Sequence, residues 1–137
     1  MPLPDMRTGD RMPVELRRAL QDVFGRSVDD VELREHSWFA KLHGRAVATT
    51  RFNTIYLRGS AEEFFARPDL MLHEYFHVLK QWNRGRMTVL SYLLEWRRRG
   101  YWNNRYERHA RRFARTRLKT FLAATRQQAS RDERINS

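Results

Sequence analysis

The sequence predicts an α+β domain in which a small N-terminal sheet packs on one buried helix and the C-terminal half is helical. Three observations carry this. Two short β-prone runs, 46–51 and 54–57, flank Asn53, a good turn residue. The second half repeats apolar residues at helical spacing and is punctuated by Gly85 and Gly100. Between them, segment 68–83 is apolar over most of its girth, the pattern of a helix inside a core.

A length of 137 residues fits one domain. Hydrophobic residues make up 41%, which excludes disorder throughout. No run is long enough for a membrane-spanning helix. Residues 1–10 lack the apolar stretch of a secretory signal, so the default placement is cytoplasmic. Cysteine is absent, which removes disulfides and thiolate metal sites; any metal must be held by His, Asp or Glu. The net charge of +11 favours an acidic protein or nucleic acid as partner, or reflects an arginine-rich surface.

Residues 1–12 read as a flexible arm. Pro13 opens a helix to Phe24, with Val14, Leu16, Leu20 and Val23 as apolar positions and Gly25 as its stop. Segment 31–36 alternates as a strand does, and 37–44 reads as a short turn and break. Runs 46–51 and 54–57 complete the sheet. Ser60 caps a short helix through Ala66, with Glu63 in the capping-box position. Pro68 opens the next helix, which ends near Asn83. Segment 87–99 follows, with Leu90, Leu93, Leu94 and Trp96 on one side, and stops at Gly100. The last helix starts at Asn103 or Asn104 and runs to Gln128. Its stripe is Tyr106, Ala110, Phe113, Ala114, the stem of Arg117, and Phe121. The domain is therefore 13–128, and 129–137 is a disordered tail.

His73-Glu74-Tyr75-Phe76-His77 carries the chemistry. On a helix, residues four apart share a face, so two imidazoles meet one ion. Glu74 is too close along the chain to ligate, yet it can reach a metal-bound water as general base. Shuffling this composition yields the H-E-x-x-H pattern only about 0.01 times. His73, Glu74, His77 and Gln81 occupy the polar remainder of an otherwise apolar helix, and buried polar groups need partners.

A catalytic zinc needs a third protein ligand. Glu107, His109 and Glu95 are the downstream candidates. Glu107, in the first turn of the last helix, is favoured, although Asn104-x-x-Glu107 is also a capping-box pattern that would tie the carboxylate to its own helix. Tyr101, Tyr106 and His109 are candidate transition-state stabilisers. His36 and His43 read as structural or exposed. Arg97, Arg98 and Arg99, then Arg105, Arg108, Arg111, Arg112, Arg115 and Arg117, form a candidate basic face for an acidic or nucleic-acid partner.

These residues resemble the gluzincin type of zinc metallopeptidase. The order of elements across 13–115 is similar to the metallopeptidase domain linked to bacterial extracellular contractile injection systems. Asn104-Arg105-Tyr106-Glu107-Arg108-His109-Ala110 resembles the segment that supplies the third ligand in related small zincins. The resemblance implies a zincin-like fold and one zinc per chain on His73, His77 and Glu107. It also implies a peptide or protein substrate and export by an injection system as an alternative to the cytoplasm. The substrate would pair with an edge strand, Thr54, Ile55, Tyr56 and Leu57 or its hairpin partner. The sequence departs from the larger gluzincins at Arg111, where they often place an aspartate. A scaffold without turnover, docking through its basic face, is the competing function.

Overall fold

The computed structural model describes residues 6–37 and 48–136, with backbone alone at 89, 101–103, 132 and 136. The chain is mixed α+β, with a four-stranded sheet and a mostly helical remainder. Strand β1 (Met6–Arg7) leads into a single helical turn, α1 (Thr8–Arg11). Helix α2 is Val14–Phe24; Pro13 stands at its N-cap and Gly25 closes it at φ 68°, a left-handed conformation that favours glycine. Strands β2 (Glu32–Arg34), β3 (Ala48–Arg51) and β4 (Thr54–Leu57) follow. The expected turn at 37–44, with His43, and the first two residues of the 46–51 run lie largely or wholly outside the described residues.

The sheet order is β1-β2-β4-β3, with β2 and β4 parallel and both outer pairs antiparallel. Two expectations change here. Residues 6–12 are not a loose arm, because Met6 pairs with Leu33 and Arg7 with Glu32. Thr8 and Met12 are buried behind that pairing. And β4 is an interior strand, bonded on both sides, so Thr54, Ile55, Tyr56 and Leu57 present no free edge. Ile55 and Leu57 fill the core instead. Its hairpin partner β3 is the outer strand next to the helix that carries the histidines.

Helix α3 (Ala61–Phe65) is capped by Ser60, whose hydroxyl accepts from the Glu63 N–H. Helix α4 (Pro68–Phe76) continues into a π-helical stretch at His77–Trp82. The sequence predicted one regular helix across this span. The wider turns appear where the Asn83 N–H reaches back five residues to Val78. Asn83 then clamps the β3–β4 turn: its Oδ1 accepts from the Asn53 N–H at 2.9 Å and its Nδ2 donates to Asn53 Oδ1 at 3.1 Å. Asn53 holds the left-handed φ of 53° that such a tight turn requires.

Helix α5 (Val89–Asn103) breaks at Gly100, which is non-helical at φ 74° and ψ 178°. Its leucines and tryptophan do not face the core. Leu90, Leu93, Leu94 and Trp96 are 53–68% exposed. Glu95 takes the inner position because its carboxylate accepts the Arg105 N–H. Helix α6 (Arg105–Asn136) runs past the expected stop at Gln128, through the segment predicted as a tail. Ala110, Ala114 and Phe121 of its stripe are buried, and Phe113 packs between Phe24 of α2 and Phe76 of α4, ring centroids at 5.0 and 4.8 Å.

The buried Thr8 hydroxyl donates to Val31 O, so it accepts from the Tyr75 hydroxyl 2.6 Å away. This bond ties the start of α1 to α4. Tyr75→Phe should destabilise the fold by about 1 kcal/mol, the net worth of one such bond. Urea unfolding checks this; a midpoint equal to the parent would show that the tie contributes nothing.

Candidate metal centre

Tyr75, Met71, Leu72, Val78 and Leu79 bury three sides of α4 and its π extension. His73, Glu74, His77 and Gln81 are left on the remaining side, which faces the start of α6. Asn104, fully buried, starts α6: its Oδ1 accepts from the Tyr106 N–H at 2.8 Å. Glu107 follows in the first turn. Its carboxylate does not close a capping box. Glu107 Oε2 lies 3.0 Å from His73 Nε2 and 3.2 Å from His77 Nε2, and the two Nε2 atoms are 3.1 Å apart.

Three ligand atoms thus form one nearly equilateral triangle, and these residues could hold a metal ion. The dimensions fit zinc. Bonds of about 2.0–2.2 Å in a tetrahedron set donors about 3.3–3.6 Å apart, so the triangle needs to open by only a few tenths of an ångström. Two imidazole nitrogens and a carboxylate oxygen are also donor types that zinc takes.

Gln81 makes the electrostatic case. Its Nε2 donates to Tyr106 O at 3.0 Å, which turns its Oε1 towards His77 Nδ1 at 2.6 Å. His77 Nδ1 must therefore carry a proton. In neutral His77 the Nε2 is then a bare lone pair facing a carboxylate oxygen, an arrangement that calls for a cation. Burial alone would lower the His77 pKa, but Glu107, Glu74 and the Gln81 bond outweigh it and raise it to about 9. For Glu107, burial opposes ionisation, and the two histidines overcome it and hold the carboxyl well below the usual range.

Glu74 is buried beside the pair, and burial pushes its pKa up against the pull of His77 and His73. Among the described residues no hydrogen bond engages its carboxylate. Of the three ligand side chains, His73 is the most open, at 16% exposure against 4% and 8%. Approach from solvent is therefore on its side.

The other candidates lie elsewhere. Glu95 caps α6 through the Arg105 N–H and contacts Arg99 at 3.5 Å, so it is committed. The Tyr106 hydroxyl accepts from Arg105 and donates to Arg86 O at 3.2 Å, which turns it from the triad. His109 is exposed and lines a separate groove. The side chain of Tyr101 lies outside the described residues, and His36 sits in an exposed turn after β2. Arg97, Arg98, Arg99, Arg105, Arg108, Arg112, Arg115 and Arg117 are exposed, Arg111 partly so; Arg117 also covers the Phe113 ring. Sequence reasoning placed Gln81 on the polar side without a role; its spacing of four from His77 was the available signal.

The family model described as eCIS core domain matches residues 11–85. The match includes His73, Glu74, His77 and Gln81 and stops before Glu107. No curated protein and no solved structure matches the chain. No helix among the described residues is long and apolar enough to cross a membrane.

Two outcomes follow. If the triad holds zinc, Gln81→Leu should weaken that binding by about 10–100-fold, the usual cost of losing a partner that orients a histidine ligand. Competition against a chromophoric chelator measures it, and an unchanged affinity would remove Gln81 from the centre. The second concerns pH. A pKa raised from 6.5 to about 9 means that His77 protonation stabilises the metal-free fold fully below 6.5 and ceases to do so as pH rises through about 9. The same proton competes with metal. Apparent zinc affinity should climb with pH up to about 9; a flat profile over that window would contradict the competition.

Proposed function

This chain belongs to the eCIS core domain family, the link being to extracellular contractile injection systems, and we propose that it is a zinc-dependent peptidase. The observation that carries the reading is the triangle of His73, His77 and Glu107 with the buried Glu74 beside it, unbonded among the described residues. His73, His77 and Glu107 would hold the metal. Zinc, when bound there, supplies a Lewis acid at the scissile carbonyl and lowers the pKa of water at its open position.

The chain's own residues do the rest. Glu74 accepts the proton of the attacking water and returns it to the leaving amine. Burial raises its pKa, which makes the carboxylate a better proton acceptor than an exposed one. Gln81 keeps His77 in the tautomer whose bare Nε2 faces His73 and Glu107, where it would be free to ligate. The substrate lies extended along the outer strand β3, which flanks the π segment. The competing reading is a metal-stabilised scaffold that docks an acidic partner or nucleic acid. The exposed arginines of α5 and α6, with Arg111 in place of an aspartate, favour it.

Glu74→Gln separates the two. Glutamine is nearly isosteric but cannot accept a proton. Zinc content and melting temperature should stay at parental values while peptide turnover falls by about 10²–10⁴-fold. Equal turnover in both proteins would remove Glu74 from the mechanism. Absence of turnover in either, against a broad peptide library, would favour the scaffold.

A further inference from the structure

We propose that the groove between the π segment and the start of α6 is an anion site that takes a compact polyphosphate group. The groove has a volume of about 410 Å³. That is the size of a small-molecule site rather than of a track for an extended strand. Lys80, Arg84 and Arg86 reach it from the π segment and the turn that follows; Arg105 and His109 reach it from α6. No carboxylate is among the lining residues.

Among the described residues, no carboxylate pairs with Lys80, Arg84 or Arg86. Burial and the neighbouring cations Arg84, Arg26 and Arg86 lower the Lys80 pKa, so like charges are already crowded there. Such crowding is unfavourable until an anion enters. A single carboxylate would leave most of this charge uncompensated. A pyrophosphate or triphosphate chain brings three or more negative charges into the same volume, with oxygens placed for arginine forks.

The backbone that presents these cations is fixed in advance. The N–H groups of Arg86 and Met87 both donate to Gln81 O, at 2.9 and 3.0 Å, and Arg86 O accepts the Tyr106 hydroxyl. Ordering on binding then falls on the side chains alone and not on the backbone that carries them. The inference does not depend on the peptidase reading.

Inorganic tripolyphosphate, titrated calorimetrically into the purified protein, tests it. One equivalent per chain should bind. Lys80→Ala/Arg84→Ala should weaken binding by about tenfold or more, as loss of charge-assisted bonds does. Lys80→Gln/Arg84→Gln, which keeps the stems, should do the same. Arg97→Ala/Arg98→Ala/Arg99→Ala should change it by less than about threefold, since those exposed cations contribute only screened attraction. Binding that persists in the groove variants, as chelation at the histidines would, overturns the proposal. So does an equal loss in all variants, which would mean diffuse charge. Tighter binding of a glutamate-rich peptide or a single-stranded oligonucleotide through the same side chains overturns the choice of ligand.

Discussion

The arrangement around the site depends on one electrostatic constraint. His73 Nε2, His77 Nε2 and Glu107 Oε2 converge within 3.2 Å of one another in a largely buried space. Lone pairs that converge away from water are costly unless a positive charge lies among them. Folding can impose this because hydrophobic packing elsewhere is strong. Tyr75, Met71 and Leu72 lock one helix into the core, while Phe113 and Ala114 press the last helix against it. The two helices meet at a fixed height because Asn104 starts α6 where it does. One residue of slippage in that start would rotate Glu107 by about 100° and carry it off the triad.

Much of this was legible in the sequence. A spacing of four puts His73 and His77 on one face of any helix, and the apolar residues around them foretold burial. Glu107 was harder, because its capping-box position offered an equally good local use for the carboxylate. In the fold Asn104 caps the helix with its own side chain, and the Glu107 carboxylate crosses to the histidines of α4 and its π extension.

What the sequence hid was tertiary. β1 is two residues long, too short for any alternation to register, and only its pairing with β2 defines it. β4 looked like an edge because its hairpin was visible. The parallel partner that closes its other side comes from more than twenty residues earlier. In α5 the apolar residues promised a buried stripe, yet the inner position went to Glu95. A carboxylate that satisfies the free N–H of Arg105 at a helix start is worth more there than a leucine that would leave it bare.

The roles of the two carboxylates within the proposed peptidase follow from what surrounds them rather than from their chemistry, which is the same. Both are buried, and burial disfavours the charged form of each. Glu107 lies within 3.2 Å of two imidazole nitrogens, and their influence overcomes burial, so it remains an anion fit to ligate. Glu74 makes no hydrogen bond to either imidazole among the described residues; His77 and His73 pull its pKa down, and burial prevails. Environments that drive two like groups apart in this way assign one to hold charge and the other to move protons. Gln81 keeps the division in place. By fixing the proton of His77 on Nδ1, it leaves the opposite nitrogen facing Glu107.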